Sequence, residues 1–305
     1  MSKKKAFPEP RIPKKRKRLK YIAVLPSLVT LMNGMCGFIA INLASRGQGM
    51  TWRPPLFPRL DISFFALAGY MIFLAMIADV LDGHIARISN STSSFGAQLD
   101  SLCDVVSFGV APAFLVLKFT EVQSLSLHFI SHKFSQIFGR AVFLSAIIYA
   151  ICAIIRLARF NVENKEDETS HLSFAGLPSP PAAGTIVSLV IFHQDVLPGF
   201  SRWFADSFHS FERAIIWILP AVTLTAGLLM VTRIPYPHVV NRILRGKKSF
   251  STFIQVLFAV LLLILNIQLA MVLGFCIFVL YGLIRWLVNK VSVPKKKEVK
   301  PEQAA

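Results

Sequence analysis

Apolar runs of roughly 20 residues, nearly free of charge, recur along this chain from Ile22 almost to its end. A helix of that length crosses about 30 Å of hydrocarbon. In lipid every backbone N–H and C=O must find its partner within the protein, so only helices and closed barrels span a membrane. These runs are too long and too continuously apolar for barrel strands. The chain is therefore expected to be all-α, a polytopic transmembrane helical bundle. Its composition agrees, with 54% hydrophobic residues among 305 and a mean hydropathy of +0.58. Soluble domains hold about 45–50% apolar residues and lack such runs.

Eight candidate spans can be drawn, at about 22–45, 62–81, 101–119, 140–158, 179–196, 213–231, 252–269 and 271–289. Almost nothing separates the last two, which are expected to form a tight hairpin. The first run is long enough to span, and no small-residue cleavage site follows at the expected distance, so it is read as a retained helix rather than a signal peptide. One membrane domain, 21–290, is expected between a basic arm, 1–20, and a basic tail, 291–305.

An even number of spans puts both ends on one side, and the formal charge of +17 indicates which side. Lys3, Lys4, Lys5, Arg11, Lys14, Lys15, Arg16, Lys17, Arg18 and Lys20 crowd the start; Lys295, Lys296, Lys297 and Lys300 crowd the end. The loop carrying Arg233, Arg242, Arg245, Lys247 and Lys248 falls on the same side, and the loops at 47–61 and 198–212 are less basic. By the positive-inside tendency both termini are cytoplasmic. A basic tail can bind nucleic acid, but beside membrane spans it more often contacts anionic lipid, and no nucleic-acid partner is expected. The cysteines, Cys36, Cys103, Cys152 and Cys276, lie in or beside apolar segments without metal-ligand spacing, and are read as buried thiols.

Chemistry concentrates in DVLDGHIARISNSTSSFGAQLDSLCD, residues 79–104. Asp79 and Asp82 are three apart at the end of the second span; Asp100 and Asp104 are four apart at the start of the third. On a helix each pair shares a face, and the short connection brings the two helices together. Four converging carboxylates repel, and a divalent cation or two is the simplest compensation. Hard oxygen ligands favour Mg²⁺, Mn²⁺ or Ca²⁺. The plainer alternative is four dispersed helix-end aspartates, with Asp100 and Asp104 acting as dipole partners. Gly83, Ala86 and Gly96 are small enough for a planar base or a pyrophosphate to approach the backbone, and Arg87 offers a fixed positive fork to phosphate oxygens. His84 is given no role.

The pattern D79-x2-D82-G83-x2-A86-R87-x8-G96-x3-D100-x3-D104 matches at all eight positions the signature of the CDP-alcohol phosphatidyltransferase family, which this chain therefore resembles. The resemblance implies a CDP-linked lipid donor and a centre of two divalent metal ions, Mg²⁺ or Mn²⁺. Asp79, Asp82 and Asp100 would be metal ligands. Asp104 would be a ligand and also the base that deprotonates the acceptor hydroxyl. Gly83, Ala86 and Gly96 would line the cytidine site, Arg87 would hold the diphosphate, and Ser93 lies where relatives often place a donor-binding hydroxyl. A homodimer is implied by the same analogy.

The signature does not choose the acceptor alcohol. Three further stretches, 25–41 (LPSLVTLMNGMCGFIAI), 156–162 (RLARFNV) with 174–183 (FAGLPSPPAA), and 230–238 (MVTRIPYPH), are similar to the serine-accepting branch of the family, the membrane-embedded phosphatidylserine synthases of bacteria and archaea. This resemblance implies transfer from CDP-diacylglycerol to L-serine in the inner (plasma) membrane, with the site facing the cytoplasm. Sister enzymes use glycerol phosphate, inositol phosphate or choline. Arg156 and Arg159, three apart at a helix end, can face a carboxylate as a pair, with Asn161 as a further polar contact; they also suit positive-inside topology. Pro178, Pro180 and Pro181 break or fix the entry to the fifth span. Thr30 and Asn33 share one face of the first span, where binding of the donor nucleotide and helix–helix bonding both remain open. Arg233 and Tyr236 stand at the end of the sixth span, where they would help close the site. A divalent-cation transporter is the alternative of another class, though its carboxylates would sit near mid-membrane; a structural scaffold is a third.

Overall fold

The computed structural model describes residues 25–47, 51–52, 61–89, 94–125, 132–166, 174–200, 205–236 and 262–292. Helix α1 (Leu25–Ser45) is followed by a short antiparallel pair, β1 (Thr51–Trp52) with β2 (Ile62–Ser63), and by α2 (Phe64–Ser89). Helix α3 (Ser94–Asp104) passes through a π-helical turn (Val105–Val110) into α4 (Ala111–Leu125), and α5 (His132–Glu166) returns. Strand β3 (Phe174–Ala175) leads into α6 (Ser179–Ile191), a second π turn (Phe192–Val196) and α7 (Leu197–Phe200). Helix α8 (Ala205–Val231), strand β4 (Pro235–Tyr236) and α9 (Ile267–Ser292) complete the order.

Among the described residues six helical runs are long and apolar enough to cross a membrane: Ser27–Ser45, Phe64–Ile85, Phe95–Ser124, Lys133–Val162, Phe211–Val231 and Ile267–Val288. The expected fifth span, 179–196, is also helical, but a π turn interrupts it near its end. Most of its residues are buried, because SPPAAGTIVSLVI is apolar or small on every side and α6 lies inside the bundle. The expected seventh span falls mostly outside the described residues. Its junction with the last helix lies at Asn266 rather than near 270. There the Asn266 N–H donates to the Leu262 carbonyl, and the Asn266 side chain caps α9 by accepting from the Leu269 N–H at 2.9 Å.

The helices run alternately, so each end of the bundle gathers particular segments. One end joins the first half of α1, the last turns of α2, the last turns of α3, the end of α5, the start of α6 and the end of α8. The other end is tied by Phe65 against Phe119, by Phe119 against His193, and by the Tyr70 hydroxyl donating to Asp195 at 2.6 Å. Outward faces carry Leu28, Phe38, Ile77, Ile137, Leu144 and Leu287, all exposed. Exposed aliphatic side chains of this kind are costly in water and at ease in lipid.

Two close approaches fix the frame. Helix α1 touches α3 and its π turn through small residues. A Cβ on Gly34 would lie 2.9 Å from Cys103 Sγ, and one on Gly37 would lie 2.5 Å from Ser107 Oγ and 2.8 Å from Ser107 Cα. Without a hydrophobic drive between helices in lipid, such backbone proximity is what holds them together. Two polar contacts reinforce it: Ser107 Oγ donates to the Asn33 carbonyl at 2.9 Å, and Tyr149 donates to the Phe108 carbonyl inside the π turn at 2.8 Å. The second approach clamps α6 to α8 through β3 and β4, which pair Phe174 with Tyr236 and Ala175 with Pro235. Gly176 has φ +92°, and a Cβ there would meet the Met230 carbonyl at 2.5 Å, so only glycine fits.

Gly37→Ala is expected to lower the melting temperature in detergent, by the equivalent of about 1–3 kcal/mol of overpacking. Gly139, with nothing within 4 Å of its would-be Cβ, is the control, and Gly139→Ala should be at least as stable as the parent because alanine favours the helix. Equal melting of the two variants would remove the α1–α3 contact as a structural keystone.

Candidate active site

Asp79 and Asp82 lie near the end of α2, and Asp100 and Asp104 lie in the last turn and a half of α3. The helices meet at these ends, and carboxylate oxygens of Asp79, Asp82 and Asp100 come within 4.8 Å of one another. Asp82 is buried, and Asp79 and Asp100 are half-buried. Asp82 Oδ2 and Asp100 Oδ1 are buried and find no hydrogen-bond partner among the described residues. Pooled negative charge with buried, unpaired acceptor oxygens is costly. An oxygen-only donor set of this kind suits a hard divalent cation.

Asp104 stands beside this group, not within it. It lies in the electrostatic field of Asp79, Asp100 and Asp82. Its Oδ1 accepts from Asn33 Nδ2 at 2.9 Å, and Asn33 is fully buried. The Thr30 hydroxyl bonds Asp82. The two polar residues of α1 therefore each hold one of the aspartates, and the bonds run between helices. The Ser107 bond to the Asn33 carbonyl ties this arrangement to the π turn that begins one residue after Asp104.

Gly83 has open space where a Cβ would be, so the backbone beside Asp82 is accessible. Ala86 and Arg87 lie on α2 and Gly96 in the first turn of α3; the side chains of Ala86 and Arg87, and all of Ser93, lie outside the described residues. His84 is exposed on α2.

Arg156 is buried at the end of α5. Its Nη1 donates to Ser179 Oγ at 2.8 Å, its Nε has no partner among the described residues, and Asp104 and Arg159 are within electrostatic reach. Arg159 donates to the Val231 carbonyl at 3.3 Å. Asn161 turns the other way. Its Oδ1 accepts from Ser101 Oγ at 2.9 Å, and with Gln98, Leu102, Val105 and Ile154 it lines a cavity of about 300 Å³ on the face of α3 away from the aspartates. Ser179 was not legible as a site residue in the sequence. The only signal was its place among Pro178, Pro180 and Pro181, which read as a helix entry.

Tyr236 packs against Phe278 and over Gly282 of α9, and burial pushes its phenol up to about 12. Arg233 is exposed nearby in sequence. The four cysteines are free, and three of them are buried, as expected of inert thiols.

Comparison with known proteins adds an independent line. Residues 23–225 match the profile described as CDP-alcohol phosphatidyltransferase. The chain is 28% identical over 270 residues to a CDP-diacylglycerol–serine O-phosphatidyltransferase of Helicobacter pylori, covering 88% of this chain and 94% of that one. It is 32% identical over 225 residues to the protein of the same name from Methanocaldococcus jannaschii, covering 74% and 79%. The corresponding Bacillus subtilis protein is 29% identical over 214 residues, covering 70% and 90%.

The Asn33–Asp104 bond predicts a coupling measurable by thermal unfolding. A buried hydrogen bond contributes about 0.5–1.5 kcal/mol, so Asn33→Ala should destabilise, whereas Asp104→Ala loses the same bond but also relieves repulsion from Asp79 and Asp100. The double variant should lose less than the sum of the two, by roughly that amount. Strict additivity would mean that the two side chains do not hold each other.

Proposed function

The chain belongs to the CDP-alcohol phosphatidyltransferase family, and from that membership we propose that it transfers the phosphatidyl group of CDP-diacylglycerol to L-serine, giving phosphatidylserine and CMP. What carries the reading is the meeting of α2 and α3 at their acidic ends, with three carboxylates within 4.8 Å and a fourth alongside. The choice of serine draws on the printed activity of the relatives and on a buried arginine near the fourth aspartate.

Asp79, Asp82 and Asp100, with Asp104, are the residues that would hold divalent metal, Mg²⁺ or Mn²⁺, two ions per site. Bound there, the metal supplies positive charge against the diphosphate oxygens and lowers the pKa of the acceptor hydroxyl. Asp104 receives the serine hydroxyl proton as the serine oxygen attacks the phosphatidyl phosphorus and the bond to CMP breaks. Asn33 holds one oxygen of that carboxylate, which orients the other toward the acceptor. Thr30 steadies Asp82 in the same way. Gly83, Ala86 and Gly96 leave room for cytidine, and Arg87, with Ser93, contacts the donor's phosphates. Arg156 and Arg159 take the serine carboxylate. Asn161 is committed to Ser101 on the other face of α3, so the acceptor site rests on the two arginines. The enzyme works as a homodimer in the inner (plasma) membrane, with both termini and the acidic end of the bundle on the cytoplasmic side.

The test is CMP release by the purified full-length chain given CDP-diacylglycerol, Mn²⁺ or Mg²⁺, and a panel of acceptors: serine, glycerol phosphate, inositol phosphate and choline. Serine is expected to support turnover; turnover only with another alcohol would move the chain to a sister activity. Chelation should abolish release, and added Mn²⁺ should restore it. Asp104→Asn should cut kcat by about 10²-fold or more with the melting temperature retained, and a full rate in that variant would remove Asp104 as the base.

A further inference from the structure

We infer that Ser179 is a positioning residue that turns Arg156 into a side-on carboxylate fork, and that this pair sets the preference for an amino-acid acceptor over an amino alcohol without a carboxylate. The inference rests on the transfer reading above and assigns to that site a residue and a geometry.

Arg156 is only 8% exposed, and Ser179 is 1% exposed. A guanidinium carries five N–H donors in a rigid plane. Nη1 lies on the side of the plane away from the Nε–H. When Nη1 is occupied, the edge formed by Nε and Nη2 remains, and that edge matches two carboxylate oxygens. In this protein Nη1 is bound to Ser179 Oγ at 2.8 Å, and Nε is buried without a partner. A permanently charged group left in this state pays a desolvation cost that an arriving anion removes. Asp104 is close enough to feel the charge, but its Oδ1 is taken by Asn33.

The backbone makes Ser179 a fixed point. Pro178 caps α6 with φ −60° and ψ 144°, and Pro180 and Pro181 follow in the first turn with locked φ. The Ala182 N–H closes that turn on the Pro178 carbonyl at 3.1 Å, and Leu177 is anchored by its N–H to the Leu229 carbonyl at 3.1 Å. The serine hydroxyl therefore meets Arg156 from a rigid frame, and rotation of the guanidinium is blocked at one end. In L-serine the carboxylate carbon is three bonds from the reacting oxygen. In the proposed geometry one small molecule presents its hydroxyl to Asp104 while its carboxylate fills the Nε edge, since Asp104 lies in the electrostatic field of Arg156. An acceptor lacking the carboxylate leaves that buried edge unfilled, and sites built around a buried polar group reject such analogues strongly.

The experiment uses the purified full-length chain with CDP-diacylglycerol and Mn²⁺, and compares the parent with Ser179→Ala, Ser179→Thr and Arg156→Lys. The acceptors are L-serine and ethanolamine. Ser179→Ala should raise KM for serine about 5–10-fold, the effect of one hydrogen bond. KM for CDP-diacylglycerol should stay within about 2-fold, and the ratio of kcat/KM for serine over ethanolamine should fall with the serine KM. Ser179→Thr, which keeps the hydroxyl, should recover most of the serine KM. Arg156→Lys, which loses the fork, should be worse than Ser179→Ala. A merely structural tie between α5 and α6 would instead lower the melting temperature and depress both acceptors alike, and that result overturns the inference. So does an unchanged serine KM in active Ser179→Ala, which would leave the transfer reading intact. Absence of serine-dependent CMP release from the parent chain overturns both.

Discussion

Three carboxylates with oxygens within 4.8 Å of one another, at the end of a membrane-spanning bundle, are held together against their own repulsion. Coulomb repulsion between such groups is substantial even in a partly wet site, so something else must fix the helices that carry them. That something is backbone proximity. Helix α1 approaches α3 at Gly34 and the π turn at Gly37 so closely that a Cβ on either glycine would crowd Cys103 or Ser107. From this seam it sends Thr30 to Asp82 and Asn33 to Asp104. The acidic pair of α2 and the acidic pair of α3 are thus both tied to α1, and the electrostatic cost is carried by packing elsewhere in the bundle.

The same logic organises the second half of the site. The start of α6 is set by two prolines and by a β3–β4 clamp that only a glycine with positive φ permits. It brings Ser179 Oγ to Arg156 Nη1 near the end of α5. Acidic and basic groups thus arrive from separate helix pairs, α2 with α3 and α5 with α6, and meet at one end of the bundle. The opposite end also holds polar groups in its interior, but there they close on one another: Tyr70 donates to Asp195, and Gln268 donates to Tyr70 at 3.2 Å.

Much of this was legible in the sequence. The apolar runs located six helices long enough to span, and the spacing of Asp79, Asp82, Asp100 and Asp104 put them on facing helix ends, because helical periodicity is a local property. What escaped was set by distant partners. Asn33 and Asp104 are 71 positions apart, and Arg156 and Ser179 are 23 apart; no local pattern says which polar residues will meet. The π turn after Asp104 has no compositional mark in VVSFGV. Asn161 read as a neighbour of the arginines because it is close in sequence, yet helical rotation sends it to Ser101 on another face. The expected eighth span is the core of α9, and most of the expected seventh, 252–269, lies outside the described residues.

Unpaired buried atoms say where the protein is unfinished by itself. Six buried side-chain atoms lack partners among the described residues, and five of them, Asn33 Oδ1, Asp82 Oδ2, Asp100 Oδ1, Arg156 Nε and the Tyr236 hydroxyl, belong to the site end. The sixth, His193 Nε2, belongs to a ring set edge-to-face on Phe119 at 4.9 Å, where an aromatic face can take a weak donor. In an interior where each unmade bond costs on the order of 1–3 kcal/mol, such atoms persist where a ligand completes them. Four of those at the site end divide by chemistry: Asn33 Oδ1, Asp82 Oδ2 and Asp100 Oδ1 are acceptors, and Arg156 Nε is a donor. Acceptors suit a cation and donors an anion, and this division is the one the proposed transfer would use.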